Sequence, residues 1–211
     1  MSIKTGKFEF TMPANNCASI ILVGASRSGK TTLLKHIYKT HFKDHITTMF
    51  SMNKHADIYK DLSDKVMVTD KFHPEMIKEA HDINTLCDNK YEFLFISDDY
   101  VDGAIKNHPE VTRAMSVYRN AGISSIWSFQ GRTMMSSVGR NNANYICVLK
   151  QQTPLEWEAV IKEFLSMWLP TGMTMREMIA FCKDACENHQ FFFINQIEGT
   201  CILTKLSKSQ I

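Results

Sequence analysis

No stretch of this 211-residue sequence approaches the ~20 consecutive apolar residues that a membrane-spanning helix needs. Its first residues, Met1-Ser2-Ile3-Lys4-Thr5-Gly6-Lys7, are polar and hold no apolar core of a secretory signal. Together these absences lead us to expect an intracellular protein with no membrane insertion. An excess of one charge is missing too. Lys and Arg number 24 against 22 Asp and Glu, a formal net of +2, so bulk charge does not announce a nucleic-acid binder. Any DNA contact must come from local placement of Lys and Arg, multiplied over copies of the chain. Internal repeats, low-complexity tracts and an interdomain linker are absent as well. Residues 1–211 are therefore expected to form one domain.

What is present is an ordinary globular mixture, 44% hydrophobic and 22% charged, long enough to bury a substantial core. The six cysteines (17, 87, 147, 182, 186 and 201) are scattered, several within apolar runs, and read as reduced core thiols. Cys182, Cys186 and His189, with Cys201 beyond, could form a zinc site. The first two, however, lie four apart on an expected helix, where core packing gives the same pattern. Zinc sites carry a closer cysteine pair, so core packing is the preferred reading.

Short apolar or β-branched runs alternate with helical patterns. Strands are expected at residues 7–12, 18–23, 46–51, 66–68, 92–97, 124–129, 145–150, 191–195 and 201–206. Helices are expected at about 29–41, 55–62, 74–87, 109–121, 154–165 and 174–188. Pro74, Pro109 and Pro154 sit where helices should begin, which suits a fixed φ and a missing N–H. The alternation predicts an α/β fold with three layers, a mostly parallel sheet between helices, closed by an antiparallel C-terminal edge hairpin. The runs Ile20-Ile21-Leu22-Val23 and Phe93-Leu94-Phe95-Ile96 read as central strands buried on both faces. Trp157, Val160, Ile161 and Phe164 read as one helix face packed on the sheet, and the thirteen methionines as gap-filling packing.

Residues 18–23 lead directly into Gly24-Ala25-Ser26-Arg27-Ser28-Gly29-Lys30-Thr31-Thr32, a complete G-x-x-x-x-G-K-T. Glycines let the backbone curl so that successive N–H groups point at phosphate oxygens, and the following helix adds its positive end. Lys30 is placed to reach the β and γ phosphates of ATP, and the Thr31 hydroxyl to ligate Mg2+. A buried strand before the loop and an amphipathic helix after it (Leu33, Leu34, Ile37, Tyr38) argue against a chance match.

A second apolar strand ends in two carboxylates, Asp98 and Asp99. At such a strand tip Asp98 suits a magnesium ligand and Asp99 a base for the attacking water, although paired Asp also simply ends strands. A carboxylate directly after the metal ligand favours motor ATPases of the additional-strand, RecA-like group over most small kinases.

The stretch from Ser116 to Arg132 holds Arg119-Asn120-Ala121-Gly122-Ile123, an apolar strand, and Gln130 at its tip. With the P-loop and Asp98-Asp99, it resembles the FtsK–HerA superfamily of DNA-pumping ATPases. The continuation Gly139-Arg140-Asn141-Asn142 before the last core strand is similar to the poxvirus-type branch, the genome-packaging ATPases of large DNA viruses and their relatives. The resemblance covers residues 18–150, leaving 151–211 as C-terminal helices and hairpin. Gly131-Arg132 stands where Arg-Pro is usual, and Phe129 replaces a small hydroxyl residue.

The resemblance implies that Gln130 reports nucleotide state and that Arg119 or Arg140 is an arginine finger supplied by an adjacent copy. It implies a ring, a hexamer or pentamer, moving double-stranded DNA without reading its sequence. It further implies a capsid vertex or portal partner, and a place in the host cytoplasm, at the assembly site or with the virion. Lys54, Lys106 and Arg113 are candidate DNA-facing cations. The alternatives are a small-molecule or nucleotide kinase, with Arg132 and Arg140 in a lid, and a nucleotide-gated assembly module.

Overall fold

The computed structural model describes residues 3–52, 57–62, 64–98, 105, 108–131, 136–207 and 210. Nine strands form one sheet: β1 (Lys4–Thr5), β2 (Ser19–Val23), β3 (Ile46–Phe50), β4 (Val66–Thr69), β5 (Phe93–Ser97), β6 (Ile123–Phe129), β7 (Tyr145–Val148), β8 (Phe191–Asn195) and β9 (Thr200–Thr204). Their order is β1-β9-β8-β7-β2-β6-β5-β3-β4. From β7 to β4 every pair is parallel, while β8 runs antiparallel to β7 and β9 to β8. This is the expected α/β sheet with its antiparallel C-terminal pair. The two-residue β1 adds itself outside that pair, parallel to β9.

The α-helices among the described residues are α1 (Lys30–Ile37), α2 (Glu75–Leu86), α3 (Pro109–Met115), α4 (Ser137–Asn142), α5 (Pro154–Val160) and α6 (Met175–Ala185). Successive side chains of β2 point to opposite faces. Ile21 and Val23 enter the core beneath α2, α3, α5 and α6, and Ile20 and Leu22 enter the one beneath α1. Both faces are thus dry, as the unbroken apolar runs require. Trp157, Val160, Ile161 and Phe164 pack into the first core as expected. Pro109 and Pro154 open their helices and Pro74 caps its own. Thr153 and Thr174 form capping boxes with Glu156 and Glu177.

Three local expectations need correction. Residues 7–12 are not a strand. Phe8 packs edge-on to Phe191 and Phe193, and Phe10 lies against Tyr145 and His41, so this segment runs over side chains instead of pairing at an edge. The helix expected at 55–62 is, among the described residues, a single 3-10 turn at Asp57–Tyr59. The helix expected at 109–121 stops at Met115 and resumes as a 3-10 turn, Tyr118–Ala121, closed by Gly122 at φ 75°. By contrast α1 and α5 continue as π-turns, Tyr38–Phe42 and Ile161–Leu165, reaching their expected lengths.

Candidate nucleotide site

The loop after β2 is held from both sides by backbone hydrogen bonds. Gly24 N donates to Phe129 O at the end of β6 (3.0 Å), and Ala25 N donates to Lys150 O after β7 (2.9 Å). A Cβ at Gly24 would lie 2.6 Å from Ser28 Oγ and 2.8 Å from Leu149 Cβ, so only glycine fits this close approach. The loop turns through Arg27 at φ 61° and Gly29 at φ 99° before α1 begins at Lys30. Lys30 is 3% exposed, and its Nζ donates to the carbonyls of Gly24 (2.9 Å) and Ala25 (3.0 Å). The buried Ser28 Oγ has no hydrogen-bond partner among the described residues. A curled glycine loop, a buried ammonium and an orphaned hydroxyl make a cradle that fits a phosphate chain.

Asp98 follows β5 directly and is 1% exposed. Its N–H donates to Phe50 O (3.0 Å), and its Oδ2 accepts from the Tyr59 hydroxyl (2.9 Å). Tyr59 Oη also lies 3.1 Å from Ser51 Oγ at the end of β3. The registers Val23↔Phe129 and Ser97↔Trp127 put the phosphate loop and Asp98 at the same edge of the sheet. One strand, β6, lies between them, so the tips stand about 10 Å apart. Gln130 follows β6 at that edge, exposed between the two. This interposed strand is the additional strand expected from the paired carboxylates.

The structure brings Gly24 through Thr32, Asp98 and Gln130 to one edge of the sheet. The proposed base, Asp99, lies outside the described residues, as do Lys54, Lys106 and Arg132. Thr31, half-buried in the first turn of α1, and Asp98 offer the hard oxygen donors that magnesium prefers. Among the described residues no three His, Cys, Asp or Glu gather around one point. The set fits an ion that keeps most of its water, as magnesium does beside a triphosphate.

Neither candidate finger reaches this rim within its own chain. Arg119 precedes the N-terminal end of β6, and its Nη1 donates to Asn144 Oδ1 (2.6 Å), which also accepts from Ser19 N. Burial holds the Arg119 guanidinium below its usual pKa. Arg140 on α4 pairs through Nε with Glu163 (2.6 Å). Arg113 sits on α3, paired with Glu110 at 2.5 Å.

The cysteine cluster divides. Cys182, Cys186 and Cys201 lie in the core, and burial pushes the thiols of Cys182 and Cys201 up to about 12. His189 instead stands exposed beside the phosphate loop, with Nδ1 3.9 Å from the position of a Cβ at Gly29. There it borders a cavity of about 720 Å3, together with the phosphate loop, Phe191 and Leu206. Sequence reasoning missed this wall and missed Tyr59. A lone tyrosine after a strand carries no signal, and the wall exists only because the strand order brings the C-terminal hairpin alongside β7.

Fold and site together define a P-loop ATPase of the additional-strand division. The family model for the poxvirus A32 protein matches residues 6–195, and the chain belongs to that family. Comparison with curated proteins finds no match. Among solved structures, the fold is similar to the genome-packaging NTPase B204 of Sulfolobus turreted icosahedral virus 2 in complex with AMP. That match has a TM-score of 0.63 at 19% identity, covering 91% of this chain and 98% of that one. The pCW3 conjugation coupling protein TcpA aligns with a TM-score of 0.58 at 12% identity, over 93% of this chain and 62% of that one. EssC from Geobacillus thermodenitrificans aligns with a TM-score of 0.54 at 10% identity, over 88% of this chain and 39% of that one. No helix among the described residues is long and apolar enough to cross a membrane.

Proposed function

We propose that the chain, acting as one ATPase domain over residues 1–211, hydrolyses ATP to drive double-stranded viral DNA into a capsid. The observation that carries this reading is the shared rim. The loop and helix start carrying Lys30 and Thr31 follow β2, and Asp98 follows β5, at one edge of the sheet on either side of β6, whose own tip bears Gln130. Membership of the poxvirus A32 family supports the packaging role, and B204 is described as a DNA-packaging ATPase.

In this reading the loop N–H groups and Lys30 bind the β and γ phosphates, Lys30 exchanging its two carbonyl partners for phosphate oxygens. Asp99 takes a proton from the attacking water as oxygen bonds to the γ phosphorus and the bond to the ADP oxygen breaks. A magnesium ion held by Thr31, and through water by Asp98, would neutralise phosphate charge. Gln130 contacts the γ phosphate or the water and relays its presence. Arg119 or Arg140 of the next copy supplies the finger, worth about 10³–10⁵ in rate. That arrangement requires a closed head-to-tail ring, a hexamer or pentamer, docked on a capsid vertex or portal at the site of virus assembly. The ring also gathers modest positive charge onto duplex DNA, with Lys54, Lys106 and Arg113 as the candidate contacts.

The test is phosphate release with and without duplex DNA, run beside a sizing measurement in nucleotide. Duplex DNA should stimulate release, and Asp99→Asn should abolish it while sparing ATP binding. Transfer of phosphate to a small acceptor, with no response to DNA, would instead establish a kinase.

A further inference from the structure

The polarity of the rim says where the rest of the nucleotide must go. Asp98 and Gln130 lie on the β6–β5 side of the phosphate loop, so the γ-phosphate end of the ligand faces that side. The nucleoside end then points the opposite way, toward β7, β8 and β9. On that side lies the cavity of about 720 Å3, running from the phosphate loop to the C-terminal hairpin. The start of β8 and the end of β9 both open onto this edge, because β8 runs antiparallel to β7 and pairs Val148 with Phe192.

We propose that this cavity is the nucleoside subsite, and that His189 and Leu206 hold a purine base between them. The inference rests on the ATPase reading and deepens it. Three observations carry it. The walls are of the kind that base faces prefer: Leu149, Phe191 and Leu206 are apolar, and His189 adds an exposed aromatic ring. His189 is also deliberately placed. Asn188 and His189 are consecutive non-glycine residues at φ 55° and 59°, a left-handed pair that side chains rarely adopt, and it sets the imidazole beside Gly29. The part of the wall formed by Leu206 and Ser207, finally, is tied to the phosphate-binding helix. Gln210 accepts from Ser207 N (2.8 Å), and its Nε2 lies 3.4 Å from His36 Nε2 on α1. Ser207, next to Leu206, is thereby linked through Gln210 to α1.

The C-terminal hairpin thus recognises the base while the loop after β2 recognises phosphate. Calorimetric titration with magnesium ATP and with magnesium tripolyphosphate, which has no nucleoside, separates the two. The wild-type chain should bind ATP about tenfold or more tighter than tripolyphosphate. His189→Ala, an exposed change, and Leu206→Ala should each remove most of that margin while leaving tripolyphosphate affinity as it was. Equal affinity of the wild type for both ligands, or unchanged ATP affinity in both variants, overturns the subsite. Failure of the wild type to bind either ligand overturns the phosphate loop reading itself, a separate result.

Discussion

The Tyr59 hydroxyl donates a 2.9 Å hydrogen bond to Oδ2 of Asp98, joining the turn after β3 to the acidic tip of β5. A carboxylate held this way has its orientation fixed before any ion arrives. Tyr59→Phe removes a hydrogen bond to a charged group, worth roughly 1.5–3 kcal/mol. The magnesium concentration giving half-maximal phosphate release should rise about tenfold or more, with ATP affinity in EDTA unchanged. An unaltered magnesium titration would show that Tyr59 has no part in positioning Asp98.

Gly24→Ala tests the cradle by sterics alone. The added methyl would meet Ser28 Oγ at 2.6 Å and Leu149 Cβ at 2.8 Å, so the loop must shift. Nucleotide affinity should fall by about an order of magnitude or more, since phosphate binding depends on aligned N–H groups. Lys30→Ala should have at least as large an effect. Near-normal ATP binding by both variants, measured by equilibrium titration, would remove the loop from the site.

The two arginines should behave differently. Arg119 bonds to Asn144, which also receives Ser19 N, so the N-terminal ends of β2, β6 and β7 meet there. Arg119→Ala should therefore lower unfolding stability by roughly 1–3 kcal/mol in urea titrations. Arg140→Ala chains, inactive alone, should regain phosphate release when mixed with Asp99→Asn chains, because each supplies what the other lacks. No recovery on mixing would exclude Arg140 as a finger acting between copies.

Buried thiols give a prediction independent of the nucleotide. Cys182 and Cys201 are pushed up to about 12 by burial, whereas unfolded cysteine ionises near ~8.5. Above that lower value the unfolded chain binds fewer protons than the folded one, so their contribution to stability declines as pH rises from about 8.5 toward 12. In native protein at about pH 8, iodoacetamide should modify the partly exposed Cys87 and spare Cys17, Cys147, Cys182, Cys186 and Cys201. Mass spectrometry before and after unfolding reads the outcome. Rapid native labelling of Cys182 would contradict its place in the core.

Much of the fold was legible because its signals are local. Ile20 to Val23, the glycine loop and the face of Leu33, Leu34 and Ile37 specify strand, turn and helix in sequence order. Asp98 stands out in the sequence because the apolar run Phe93 to Ile96 leads through Ser97 into it. Residues 7–12 misled because apolar side chains say only that a segment is buried, and here Phe8 and Phe10 are buried by ring packing without backbone pairing to a strand. Tyr59, and the place of His189 beside the phosphate loop, were invisible for another reason. Each reaches the site through strand order, β3 beside β5 and β8 beside β7, and strand order is not encoded in any short stretch of sequence.

The ammonium of Lys30 is bonded to two carbonyls of its own loop. An incoming triphosphate must displace them, and a departing product is replaced by them. The loop therefore never leaves a bare cation in its dry floor, so emptying the pocket between cycles carries little electrostatic penalty. An ATPase that has to let go of its product at every turnover is served by that built-in substitute.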